Sequence, residues 1–263
     1  MLKDATLAID GRIATLTFNR DDVRNALTGS ELVNDIPATL AWASACTEVS
    51  VLIITGAGSA FSSGGNVKAM AAQGDDPPFR LQRAYQAGIQ QIPRAFEQCD
   101  VPVIAAVNGP AIGAGFDLVN MCDIRIGSTL AQFGETFLNL GIIPGDGGAW
   151  FLTRLVGAQR AAELTFTGRI IDADEAKALG LLLDVVEPSE LMSTAKSLAA
   201  TIARKPPQAL RYAKKLLKLA QRQQLGEHLE MCSAYQALCQ KTTDHQEALT
   251  ALFEKRDGRF TGR

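Results

Sequence analysis

Two short runs constrain this chain more than anything else in it. Residues 51–55 (VLIIT) and 103–107 (VIAAV) are almost unbroken apolar stretches, and each ends in a glycine-rich loop. A strand with one face in water alternates polar and apolar residues, whereas a continuous apolar run reads as a strand buried on both faces. The first run leads into a Gly- and Ser-rich loop over 56–65, the second into Asn108-Gly109-Pro110 and a Gly-rich stretch over 112–116. Asp10-Gly11 splits two further β-type runs, 5–9 and 13–19, as a hairpin turn does. Leu32, Ile36, Leu40 and Ala43 recur at helical spacing over 30–45, and a second helix is expected over 81–98, with a kink at Pro93. Past residue 188 the pattern turns helical, over 191–204, 207–221, 227–241 and 246–255. This alternation predicts an α/β core over 1–187 and a C-terminal helical region over 188–263.

Composition narrows the function. A chain of 263 residues with 47% apolar and 21% charged residues has the make-up of a globular protein that buries a sizeable core. The net charge of -2 supplies no basic field for nucleic acid. The densest cationic cluster, Lys205, Arg211, Lys214, Lys215, Lys218 and Arg222, is expected to be a solvated helix face opposite Ala209, Leu210, Ala213, Leu217 and Ala220. No apolar run reaches the length of a membrane span, and the N-terminus is too polar for a signal peptide, so a cytoplasmic protein without membrane attachment is expected. Five Cys without a CxxC suggest reduced thiols. His228 and Cys232 alone are too few ligands for zinc, and no metal site is expected.

The two loops carry the chemistry. Small residues let a backbone approach a ligand closely, and a helix start offers unpaired N–H groups at the positive end of its dipole. Two such starts that converge make an oxyanion hole, which stabilises negative charge developing on a carbonyl oxygen. A dinucleotide loop is a poorer reading, because Phe61 stands where the third glycine of that pattern belongs. Neither a GxSxG elbow nor a Walker A sequence occurs.

Five segments together resemble the crotonase (enoyl-CoA hydratase/isomerase) superfamily along nearly the whole chain: AFSSGGNVKAM (60–70), PVIAAVNGPAIGAGFDLVNMCDIRI (102–126), AQFGETFLNLGIIPGDGG (131–148), TGRIIDADEAKALGLLLDVV (167–186) and LFEKRDGRF (252–260). The resemblance implies a spiral of ββα repeats, a C-terminal helical region used for trimerisation, and a homotrimer or dimer of trimers. It implies an acyl-CoA substrate and no separate cofactor, coenzyme A being part of the substrate. The oxyanion N–H groups fall on Gly65 and Ala114. CoA-contacting positions fall on Arg24, Gly64, Asn66 and Lys68, with Phe253 and Lys255 in the tail.

Asp117 takes the position of the first hydratase carboxylate, where Glu is usual. It lies about one turn after Ala114, and its place near a helix start favours the ionised form, as suits a base. The second hydratase Glu is missing, since Phe137 stands there. Glu135 shares a face with Phe137 if that segment is extended, which makes it the second catalytic candidate. Asp146, in the Pro144–Gly148 turn, is a third. The expected reaction is addition of water to a 2-enoyl-CoA. Double-bond isomerisation is the alternative, and a non-catalytic CoA- or RNA-binding protein is the rival of a different class. The segment 73–78 is expected to be flexible and, with the helix after it, to shape the acyl pocket.

Overall fold

The computed structural model describes residues 1–72 and 76–263. In chain order the elements are β1 (Ala5–Asp10), β2 (Ile13–Phe18), α1 (Leu32–Ala45), β3 (Val51–Gly56), α2 (Val67–Ala72), α3 (Pro78–Ala87), α4 (Gln91–Gln98), β4 (Val103–Val107), β5 (Ala111–Ile112) and α5 (Ala114–Met121). They continue with β6 (Ile124–Ser128), β7 (Gln132–Gly134), α6 (Gly148–Thr167), β8 (Ile170–Asp172), α7 (Ala173–Ala178), β9 (Asp184–Val186), α8 (Leu191–Ala203), α9 (Pro207–Ala220), α10 (Leu225–Gln240) and α11 (Thr243–Glu254).

One sheet has the order β1-β2-β3-β4-β6-β9, antiparallel only at the β1–β2 hairpin. A second, smaller sheet has the order β5-β7-β8. Strands alternate between the two. After β3 the chain bridges Ser62 to Ala111 beside the small sheet, then enters α2. The pairs β4–β5 and β6–β7 each put one strand in either sheet before α5 and α6. This is the ββα spiral that the resemblance implies.

The unbroken apolar runs follow from burial on both faces. Leu52 and Ile54 of β3 and Val103, Ala105 and Val107 of β4 face the main core, packed with Leu32, Ile36 and Leu40 of α1. Their alternate neighbours Val51, Ile53, Ile104 and Ala106 face a second cluster built by Leu191, Ala195 and Ala199 of α8. The period of two along a strand sends successive side chains to opposite layers, and here both layers are dry. Helix α8, within the expected C-terminal region, closes the sheet's second face.

Two expectations need correction. Residues 81–98 do not form one helix kinked at Pro93. The chain breaks at Gly88 (φ -103°, ψ -112°), and Pro93 lies in the first turn of α4, where its missing N–H costs nothing. Helix α6 runs from Gly148 to Thr167 across non-helical backbone at Gly157. Of the segment expected to be flexible, residues 73–75 lie outside the described residues, and Pro78 already belongs to α3.

The cationic cluster is also only partly a solvated face: Lys205, Lys215 and Arg222 are exposed, the others are not. Arg211 and Lys214 are buried, while Leu217 is 72% exposed. Arg211 donates to the carbonyls of Ala43, Ser44, Cys46 and Val49 and pairs with Asp100. Lys218 donates to the carbonyls of Phe96, Glu97 and Cys99. Lys214 donates to the Val101 carbonyl and pairs with Asp123 at 2.7 Å. Helices α1 and α4 end with unpaired carbonyls at the negative ends of their dipoles. The α9 cations satisfy those ends, so α9 turns its charged side inward. Burial depresses the Lys218 ammonium to about 8.

Candidate active site

The first loop is held from the N-terminal side. Arg24 and Asn25 both adopt left-handed backbone (φ 52° and 53°). Asn tolerates that region through local hydrogen bonds, and Asn25 makes them: its side chain accepts from Arg20 N–H and donates to the carbonyls of Ala57 and Ala60. The non-glycine strain at Arg24 sits against the site, since its carbonyl accepts from Ser63 N–H. Gly64 N–H donates to Ser62 Oγ and Asn66 N–H to Thr28 Oγ1 at 2.7 Å. The N–H between them, on Gly65, has no acceptor among the described residues.

The second loop is stitched to the first. Ile112 N–H donates to the Ser62 carbonyl and Gly113 N–H to the Gly134 carbonyl. Gly64 lies so close that a Cβ on it would come within 2.9 Å of Ala114 N, and its φ of 80° excludes other residues as well. Gly113 turns the chain at φ 54° into α5, and Ala114 becomes the first helical residue. Its N–H, like that of Gly65, has no acceptor among the described residues. Gly65 and Ala114 both line one cavity of about 370 Å³, whose walls include Val33, Tyr85, Ile89, Phe137 and Asp146. Two unpaired N–H donors on one largely apolar cavity have the layout of an oxyanion hole.

Three carboxyls meet beside this cavity: Asp117 on α5, Glu135 before the short 3-10 turn Thr136–Leu140, and Asp146 before α6. All three are buried, and apart from one another the oxygens of Asp117 and of Glu135 have no partner from the protein among the described residues. Asp117 stands within hydrogen-bonding reach of the other two. Ionised carboxylates only accept, so a proton must sit between them. Burial first, then the charges of Asp146 and Glu135, push the Asp117 carboxyl well above the usual range. Burial lifts Glu135 to about 7 and raises Asp146, while the bond from Asp117 holds both of them lower. The cluster therefore retains a proton that its three carboxyls share. Desolvation and two acid neighbours work against the ionised form that the helix start favours.

Glu135 does not share a strand face with Phe137. The segment is not extended; Phe137 lies in the 3-10 turn. Glu135 nevertheless reaches Asp117. Of the three acids only Asp146 lines the cavity; Phe137 fills the neighbouring wall. Tyr85 joins the cavity wall from α3. It packs on Gly145 beside Asp146, and burial followed by the Asp146 charge raises its phenol. Nothing local in the sequence marks it. Of the expected CoA contacts, Asn66 lines the cavity and Gly64 immediately precedes its lining residue Gly65, whereas Arg24 and Lys68 are exposed nearby in sequence. Phe253 is 80% exposed and, like Lys255, lies outside the cavity's lining.

The chain resembles known proteins along nearly its whole length. The family model described as enoyl-CoA hydratase/isomerase matches residues 8–263. The chain is 37% identical over 258 residues to a short-chain-enoyl-CoA hydratase of Clostridium acetobutylicum, covering 97% of this chain and 96% of that one. It is 36% identical over 265 residues to a crotonyl-CoA hydratase of Syntrophomonas wolfei, covering 95% and 94%. The crystal structure of an enoyl-CoA hydratase from Bacillus anthracis superposes with a TM-score of 0.92 at 33% identity, covering 99% of this chain and 100% of that one. On fold, site loops and full-length similarity together, this chain belongs to the enoyl-CoA hydratase/isomerase family.

Proposed function

We propose that the protein hydrates a 2-enoyl-CoA. The observation that carries this is the pair of unpaired N–H groups, Gly65 and Ala114, on a cavity walled by a buried carboxyl. The thioester oxygen accepts from both N–H groups, so negative charge gathers there as water adds at C3. The carboxyl cluster takes one proton from water and returns one to C2. Asp146 faces the substrate, and Asp117 with Glu135 holds the shared proton behind it. Similarity to hydratases named for short-chain and crotonyl substrates, together with the modest cavity, supports a short acyl group.

Arg24, Gly64, Asn66 and Lys68 are assigned to the coenzyme A moiety. Leu138, Leu140, Phe166 and Ile170 are exposed around the contact of Asn139 with the Gly168 carbonyl, and this apolar patch supports a homotrimer or a dimer of trimers. In such an assembly Phe253 and Lys255 serve CoA across a subunit boundary. No helix among the described residues is long and apolar enough to cross a membrane. Light scattering is expected to return the mass of three or six chains; a single-chain mass refutes the assembly.

Crotonyl-CoA incubated in heavy-oxygen water is expected to yield a saturated hydroxyacyl-CoA that carries the label. A second reading, isomerisation of a 3-enoyl-CoA, is favoured by one observation: a single acid, Asp146, lines the cavity. A conjugated product from 3-enoyl-CoA, with no labelled adduct from crotonyl-CoA, selects that reading and sinks hydration.

A further inference from the structure

Helix α5 joins two cavities. Its first residue, Ala114, lines the one described above, and its last turn, at Asn120 and Met121, lines another of about 330 Å³. Trp150 and Phe151 of α6 and Lys214 and Leu217 of α9 complete the second cavity's walls. Between the two stands Asp117, packed against Gly148 at the start of α6, where any Cβ would collide with its carboxylate. The seam between α5 and α6 thus runs from Asp146, past Asp117, to Asn120.

Asn120 is the unexplained residue of this seam. It is 3% exposed, yet neither its amide nitrogen nor its carbonyl oxygen has a protein partner among the described residues. The carboxyls satisfy one another by sharing protons. An amide cannot do that, and a buried amide without partners is costly. Positions three apart on a helix have Cβ atoms about 5–6 Å apart. A water making two hydrogen bonds of about 2.8 Å spans such a gap. The second cavity is polar enough at Asn120, Asp123 and Lys214, and large enough, to supply it.

We propose that Asn120 and the cavity behind α5 form a rear water inlet to the carboxyl cluster. The proposal rests on the hydration reading. Each turnover consumes one water: its oxygen bonds to C3, one of its protons passes to the cluster, and a cluster proton passes to C2. A bound thioester occupies the front cavity, so replacement water arrives along the α5–α6 seam. Asn120 orients that water and does not touch the substrate; it is a positioning residue.

Two measurements test this together. A crystal structure of the unaltered protein with a saturated acyl-CoA in the front cavity is expected to show water hydrogen-bonded to Asn120 on the path to Asp117. Asn120→Leu fills the seam with an apolar side chain of similar size. It is expected to lower kcat on crotonyl-CoA about tenfold with KM unchanged, while Asn120→Ser, which keeps a polar group, holds kcat near the original. A seam without that water overturns the inlet, and so does an Asn120→Leu protein that hydrates at the original rate. If the leucine variant does not fold, the crystal structure and the serine variant decide. Failure of the unaltered protein to hydrate any 2-enoyl-CoA overturns the hydration reading instead, whatever water the seam holds.

Discussion

Replacing Ala114 by proline is expected to lower kcat by about 10²–10³ and to leave the fold nearly as stable as before. Ala114 is the first residue of α5, the one helical position where proline is favoured, because its N–H has no intrahelical acceptor and its φ suits the helix. Gly113 before it is at φ 54° and ψ -124°, outside the helical region that a following proline disfavours. The substitution therefore removes little besides the N–H aimed at the thioester oxygen. Loss of one oxyanion donor should appear in kcat, since that bond strengthens only as charge develops. KM should move little, because the CoA contacts assigned to Arg24, Asn66 and Lys68 lie on another loop. Ala114→Gly keeps the N–H and serves as the control. An Ala114→Pro protein with full kcat and a normal thermal midpoint means that the site does not use this donor.

What the sequence could show depended on how local the cause was. Residues 51–55 and 103–107 read correctly as buried strands because burial on both faces writes itself into every consecutive residue. The loops after them read as a site because close approach there needs small residues, as Gly64 against Ala114 shows. Arg211, Lys214 and Lys218 read wrongly because a helical repeat separates two faces without saying which one is inward. Their partners are carbonyls more than a hundred residues away in sequence, at the ends of α1 and α4. Asp117 is hard to read for the same reason. Its own helix start favours charge, but burial, and then Asp146 and Glu135 from later turns, push against it. Asn120 did leave a trace: it is one turn beyond Asp117 in the otherwise apolar helix AGFDLVNM. Nothing in the sequence said that it would find no partner.

Asp146→Asn is expected to cost activity heavily and to stabilise the fold above neutral pH. Asp146 is the cavity-lining acid of the cluster, and loss of a general acid–base group costs about 10²–10⁴ in rate. The stability effect follows from the cluster's crowding. Glu135 stands at about 7 in the folded chain against 4.5 when exposed. Between those values the folded protein keeps a proton that the unfolded chain has released, so stability is full below pH 4.5 and falls as pH rises toward 7. That span corresponds to about 3 kcal/mol. Asp117, raised by burial and by its two acid neighbours, adds to the decline. Glu247, held at about 2 by Arg256, titrates below this window and does not mask it. Asn at position 146 removes one of the charges that lift Glu135 and Asp117, so the fall in stability across pH 5–8 should become shallower. Urea midpoints of both proteins across that range measure it. A midpoint of the unaltered protein that stays flat or rises from pH 5 to 8 means that these carboxyls do not share buried protons. An Asp146→Asn protein with unchanged kcat places the reacting acid elsewhere, with Asp117 the next to replace.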